Sequence, residues 1–219
     1  KKIDIKNVKL PVNQWIYNQF VNTKSQATKH IENFRFDEAT RVIYKFVWHY
    51  YCDWYLEFIK STFISKNKSN IEEVRNFSSY MMSNILKLLH PFIPFFTETV
   101  WKKNKFDKFF NTPLINAPWP DIKMISQFSK KQKDIADIIE IISSIRSTKA
   151  ELNIAPKLYC DIIYLKRSKL ITRLITQNIE IIKHVGRIDK LLEKKNLNDK
   201  TIEILVLKEK IPLKFDTNI

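Results

Sequence analysis

Trp15, together with Gln14, Asn18 and Gln19, is the group of side chains in this 219-residue chain whose types could read an unpaired nucleobase. An indole stacks on the face of a base, and neighbouring amides carry donors and acceptors for the base's exposed edge. That chemistry needs the ring at the surface; the alternative for Trp15 is a place in the core of a helical bundle, since tryptophan serves both settings. Cations that could meet phosphates follow in two groups. Arg35 lies between two helical stretches, and Lys24, Lys29, Arg41 and Lys45 extend a candidate basic track from it. For Arg35 the competing reading is an arginine–aspartate contact within Arg35–Ala39, RFDEA. The second group, Arg146, Lys149 and Lys157, surrounds the segment KAELNIAPK.

The elements that must position these residues are legible from apolar periodicity. A first helix runs from about Asn13 to Asn33 with Trp15, Ile16, Phe20, Ala27 and Ile31 on one face. A second, long helix opens with Asp37 at its N-cap or first turn, where an acid meets free amides and the positive end of the dipole. Its stripe is Ala39, Val42, Ile43, Phe46, Val47, Tyr50, Trp54 and Phe58, and Trp48, Trp54 and Tyr55 read as bundle core. Asn70 with Glu73 forms an asparagine version of the capping box for a third helix carrying Val74, Phe77, Met81, Ile85 and Leu88. Pro91 and Pro94 break it before FTETVWKK, with His90 shaping the turn, and residues 103–120, holding Pro113, Pro118 and Pro120, read as an ordered loop. A helix resumes after Ser126 and ends near Glu151. From Leu158 onward, LYCDIIYL, IDKLLE, TIEILVL and IPLKF read as strands around a helical LITRLITQNIEIIKHVG, with Asn198-Asp199 as a turn between the later strands. The expected organisation is a helical bundle over 1–125, a connecting helix and turn over 126–157, and a small α+β subdomain over 158–219; the fold class is mainly α with an α+β appendage.

Composition narrows the function. With 38 Lys and Arg against 23 Asp and Glu, the chain carries +15 charges and points toward a polyanionic partner, nucleic acid first. Its single glycine, Gly186, removes Gly-rich phosphate loops, nucleophile elbows and most tight β-hairpin turns. Cys52 and Cys160 have no CxxC partners, which indicates neither a disulfide framework nor a zinc site and fits a reducing compartment. No apolar run of 18 residues or signal-peptide pattern occurs, so no membrane span and no secretion are expected. Lys1 in place of a starting methionine suggests a fragment. A nuclease or hydrolase would need clustered carboxylates, whereas Glu72-Glu73 and Asp134/Asp137 read as helix-surface acids. A basic helical module that binds RNA or another polyanion without base specificity remains the alternative from a different class.

Four further groups of words carry a resemblance. LPVNQWIYNQF, FRFDEA with CDWYLE, LLHPFIPFFTETVW followed by APWP, and RSTKAELNIAPK occur in this order and cover about residues 8–215. In this order they resemble the anticodon-binding domain of valyl-tRNA synthetases, and the histidine of LLHPF with CDWYLE separates that family from isoleucyl and leucyl relatives. The resemblance implies a domain that positions valine tRNA while catalytic and editing domains of the same polypeptide work with ATP and magnesium; the HIGH and KMSKS signatures of catalysis are absent, so no cofactor is expected in this chain. It also implies use of the first helix against the anticodon; a cytoplasmic, monomeric protein is expected. There Gln14 departs from the family's usual Lys or Arg.

Overall fold

The computed structural model describes residues 5–64, 67–122, 129–164, 169–193 and 201–215. The chain divides into two compact units, 1–131 and 132–219. The first is helical: α1 (Pro11–Glu32), α2 (Phe36–Lys45), a π-helical segment (Phe46–Tyr55), α3 (Leu56–Ile64), α4 (Lys68–Leu89), α5 (Pro94–Lys103) and the short α6 (Phe106–Phe110). The second holds nearly all of α7 (Ser129–Glu151), then β1 (Cys160–Tyr164), α8 (Lys169–Gln177), α9 (Ile179–Gly186), β2 (Ile188–Glu193), β3 (Ile202–Val206) and β4 (Glu209–Phe215). The bundle and the α+β appendage expected from the sequence are both there, and α7, read as a connector, falls with the appendage.

Pro11 starts α1 because a proline at the first helical position gives up an amide that no helical carbonyl would accept. From Val12 to Asn18 every side chain is buried, so this helix runs through the middle of the bundle instead of lying on it. Its start is capped from a distance. The Glu73 carboxylate of α4 accepts from the amides of Lys9 and Leu10 at 3.2 and 2.9 Å and from the Asn13 side-chain amide at 2.9 Å. Asn13 in turn accepts from the Tyr55 hydroxyl at 3.0 Å, which satisfies a fully buried amide. Glu73 therefore does not close a capping box on its own helix; α4 begins three residues earlier than the sequence suggests, where the Asn67 side chain accepts from the Asn70 amide at 3.1 Å.

The long second helix is continuous in direction but not in hydrogen bonding. Over Phe46–Tyr55 it widens to the i→i+5 pattern, with the Leu56 amide bonded to the Tyr51 carbonyl. Buried positions consequently run Ala39, Ile43, Phe46, then Tyr51, Tyr55 and Phe58, a gap of five where α-helical spacing would place Tyr50 and Trp54 inward. Tyr50 and Trp54 are only half-buried, and Trp48, expected in the core, is exposed. Further on, His90 Nδ1 bonds the Thr97 hydroxyl at 2.8 Å across the Pro91–Pro94 turn. Within the expected loop of 103–120, α6 is bracketed by left-handed Lys105 and Asn111 and packs Phe106 against Trp101 at 5.1 Å between centroids.

In the second unit the sheet order is β2-β1-β4-β3, with β1 and β2 parallel and the other pairs antiparallel. Ile162, Ile188, Ile204, Val206, Ile211 and Leu213 are buried, as are Ile135, Ile138, Ile142 and Ile145 of α7. The β3–β4 hairpin is tight despite having no glycine: Leu207 and Lys208 both hold φ > 0, at 51° and 66°, the arrangement of a two-residue hairpin loop. The Glu140 carboxylate of α7 accepts from the Leu207 amide at 2.9 Å and so helps hold this strained turn. The Asn198-Asp199 turn lies outside the described residues.

Burial raises the phenols of Tyr51 and Tyr80 to about 12. Both groups are neutral in either state below about pH 10, and between about pH 10 and 12 the unfolded chain loses protons that the folded one keeps. The contribution of these two phenols is therefore level up to about pH 10 and falls as pH rises toward 12; urea midpoints of the wild type and of Tyr51→Phe measured across that range check it, and an unchanged pH profile in the variant would contradict the burial of that ring.

Candidate nucleic-acid interface

The sequence candidates separate sharply by exposure. Trp15 is 2 % exposed, with its ring 6.1 Å from Tyr50 and 6.2 Å from Phe58, so the surface ring expected on the first helix is a core ring. Gln14 and Asn18 are buried with it. Gln14 donates to the Val8 carbonyl at 2.6 Å, and neither polar atom of the Asn18 amide has a hydrogen-bond partner among the described residues. Gln19 is half-buried. A buried indole cannot stack on a base without displacing its own packing, and the reason the sequence misleads here is that α1 is surrounded on all sides over Val12–Asn18, which a one-sided stripe does not anticipate.

Arg146 and Lys149 are both engaged by backbone carbonyls, and Lys149 is drawn inward. Arg146, exposed along its length, donates to the Val185 carbonyl at 3.1 Å. Lys149 is 3 % exposed, and its ammonium reaches the carbonyls of Leu158 at 2.8 Å, Gly186 at 3.3 Å and Arg187 at 3.4 Å. Both cations thus serve the carbonyl end of α9, where positive charge is favoured and the last carbonyls need donors. Burial lowers the Lys149 ammonium below the ordinary lysine range, with the neighbouring Cys160 partly opposing it. Lys157 remains exposed.

Around the α1–α2 corner the cations stay at the surface, and aromatic rings close to them in sequence are exposed as well: Phe34, Phe36 and Tyr44, which the sequence reading passed over, and Trp48, which it placed in the core. The corner is a Schellman turn: the Phe34 amide bonds Ile31 at 3.0 Å, the Arg35 amide bonds His30 at 2.8 Å, and Phe34 takes the left-handed position at φ 58°. Glycine usually fills that position. Phenylalanine there is strained and 82 % exposed, its ring edge-on to the exposed Phe36 at 6.4 Å. One turn into α2, Glu38 accepts from Arg35 at 3.1 Å and from Arg41 Nε at 3.0 Å. The acid that Arg35 meets is Glu38 and not Asp37, and the hydrogen bond from Arg41, with the charge of both guanidiniums, holds the Glu38 carboxyl below its ordinary value. Tyr44 and Trp48, 60 % and 54 % exposed, stack with planes 8° apart and centroids 6.2 Å apart. Lys29 and Lys45 are exposed nearby in sequence, and Lys24 is half-buried. Arg41, Tyr44, Lys45 and Trp48 recur at three- and four-residue intervals and so share a helix face. Spacing alone could have found this group, had Trp48 not been assigned to the core.

This combination of offset aromatic planes and guanidiniums beside a helix corner suits single-stranded nucleic acid. The model of the family described as the anticodon-binding domain of tRNA ligase matches residues 13–164. The chain belongs to that family. It is 39 % identical over all 219 residues to a protein of Pelagibacter ubique named valine–tRNA ligase, 37 % identical over 154 residues, 70 % of the chain, to one of the same name from Caulobacter vibrioides, and 31 % identical over 186 residues, 84 % of the chain, to one from Brucella suis. The chain spans 25 %, 17 % and 20 % of those three proteins, so this anticodon-binding domain corresponds to about a quarter or less of each curated relative. No described helix is long and apolar enough to cross a membrane.

All five tryptophans lie in the first unit, which lets the two units of the anticodon-binding domain be followed separately. Lys149→Met strands three carbonyls and is expected to cost the second unit about 2 kcal/mol. Circular dichroism should then lose its appendage signal at lower urea while the tryptophan midpoint stays put. An unmoved dichroism profile would mean that Lys149 holds nothing together.

Proposed function

We propose that the chain is the anticodon-binding part of a valine–tRNA ligase that holds valine tRNA through the surface running from Lys29 past the α1–α2 corner to Trp48. The observation that carries this reading is the interleaving, over residues 34–48, of exposed Phe34, Phe36, Tyr44 and Trp48 with exposed Arg35, Arg41 and Lys45. Unstacked anticodon bases would lie on the outer faces of these rings, and the guanidinium N–H groups that Glu38 leaves free would meet phosphate oxygens. Glu38 keeps the two arginines extended before RNA arrives, which lowers the ordering cost of binding. Trp15, Gln14 and Asn18 belong, on this reading, to the packed interior of α1 and do not meet RNA. The family match, the names of the relatives and the +15 net charge support the same conclusion.

Aminoacylation and editing belong, on this reading, to other parts of a longer cytoplasmic polypeptide. The described residues do not fit ATP or magnesium: no three His, Cys, Asp or Glu side chains among them converge on a metal position, and Gly186 packs beside Ile188 at the end of α9 instead of opening a phosphate loop. On this reading the part played by this chain is to position tRNA.

Binding to transcribed valine tRNA, and to the same tRNA with altered anticodon bases, tests the proposal. Anticodon replacement should weaken binding, Trp48→Ala should weaken it roughly fivefold or more, and Arg41→Ala should lower the salt dependence by about one charge. Equal binding of both tRNAs, with steep salt dependence alone, would instead favour a basic helical module without anticodon readout. Phe34→Gly separates fold from function: relief of the left-handed strain should raise stability by about 1 kcal/mol while tRNA affinity falls. A variant that gains stability and keeps full affinity would remove Phe34 from the surface that meets RNA.

A further inference from the structure

A cleft of about 830 Å³ opens in the first unit between α4, α6 and the segment Pro118–Ile122, built from elements other than the α1–α2 corner. Its size lies within the range of small-ligand pockets, about 300–1,000 Å³. The floor is rigid. Phe110 stacks on fully buried Trp101 at 5.3 Å with planes 20° apart, and Trp101 donates to the Thr112 carbonyl at 3.1 Å. Phe109 stands edge-on to Phe110 at 4.9 Å, and both rings keep exposed surface toward the opening. On the far side the Trp119 indole donates to the Thr28 hydroxyl at 3.0 Å, which ties the closing segment to α1.

Lys87 reaches into this cleft from α4 with its ammonium 5.3 Å from the Phe110 ring centre. It is half-buried and has no carboxylate within ion-pair distance among the described residues, and burial lowers its pKa. A half-buried ammonium without an anion is costly, and a bound anion would relieve that cost. Lys105 adds a second cation on the lip, where its backbone is held left-handed at φ 58°. Amide groups complete the lining: Asn76 makes no side-chain hydrogen bond among the described residues, and Asn104 commits only its amide nitrogen, to the Val100 carbonyl at 2.9 Å. Asp121, exposed, is the acid among the described lining residues.

We propose that this cleft binds a single unstacked nucleotide, with its phosphate on Lys87 and Lys105, its base against Phe109 and Phe110, and its base edge facing Asn76 and Asn104. A free phosphate would use the cations and ignore the rings, and an apolar peptide would use the rings and leave Lys87 unpaired. A nucleotide uses both and has the amide-compatible edge as well. The chemistry is shared by a free mononucleotide and by a nucleotide turned out of an RNA strand.

Isothermal titration of the 219-residue chain with adenosine 5′-monophosphate, adenosine, ribose 5-phosphate and a short single-stranded trinucleotide tests the assignment. Adenosine 5′-monophosphate should bind saturably and more tightly than adenosine or ribose 5-phosphate. Lys87→Met should weaken it roughly tenfold and Phe109→Leu roughly fivefold; Phe109 is exposed, so its variant leaves the core intact. A trinucleotide that binds more tightly than the mononucleotide supports the site with RNA as the source, and equal binding supports it with free nucleotide as the source. Equal affinity for ribose 5-phosphate would overturn base recognition. Absence of saturable binding at millimolar nucleotide, or an apolar dye held in the cleft and not displaced by nucleotide, would overturn the proposal outright and leave a protein-docking groove. Trp48→Ala reports on tRNA binding at the α1–α2 surface, so the two readings can fail independently.

Discussion

The widening of the second helix over Phe46–Tyr55 sets which aromatic side chains build the bundle and which are left outside. A π-helical turn takes in extra backbone, so each residue beyond Phe46 is rotated relative to an α-helix of the same sequence. Tyr51 and Tyr55 therefore enter the core, stacked at 5.3 Å, and Tyr55 reaches Asn13 on α1 and Ser78 on α4 through its hydroxyl, each at 3.0 Å. That single phenol joins three helices. On the opposite side Tyr44 and Trp48 face outward as a stacked pair. The core side of this helix thus depends on the backbone adjustment, in a ten-residue segment that contains neither proline nor glycine.

Charged side chains then secure the helix ends from a distance. Glu73 caps the positive start of α1 from α4, and Arg146 with Lys149 caps the negative end of α9 from α7. In each case the capping charge comes from a neighbouring helix, so the contact that satisfies orphan backbone groups also fixes how two elements meet. The cost is that Lys149 is withdrawn from the surface, while Arg146 stays exposed. In a chain of +15 this leaves many other cations for a polyanion, and the exposed ones near the α1–α2 corner are where aromatic rings accompany them.

Strained, left-handed residues recur where side chains are turned outward or a tight turn is forced: Phe34 at the α1–α2 corner, Lys105 and Asn111 around α6, and Leu207 with Lys208 in the hairpin. With one glycine in the whole chain, ordinary residues take positions glycine would occupy more cheaply. At Phe34 and Lys105 the same strain presents an aromatic ring and a cation to open surfaces. Backbone strain of this kind persists only where surrounding contacts hold it, and the Schellman bonds and the Trp101 cluster do so.

Much of this protein was determined by sequence alone. Apolar periodicity, prolines and the change of texture after Leu158 specify a helical bundle followed by a small α+β unit, because burial of one face is a local property of spacing. The ordered words from LPVNQW to NIAPK specify the family, since they record residues in series and need no geometry. Which side chains face outward was decided by tertiary structure. Trp15 went inside because α1 is enclosed by its neighbours, Tyr51 went inside in place of Tyr50 because the π-helical turn shifted the stripe by one residue, and Lys149 was drawn to the carbonyls of a helix end some 37 residues away. Periodicity reads one helix at a time, whereas enclosure, backbone widening and capping between helices are relations among segments distant in sequence, and only the folded chain brings those segments together.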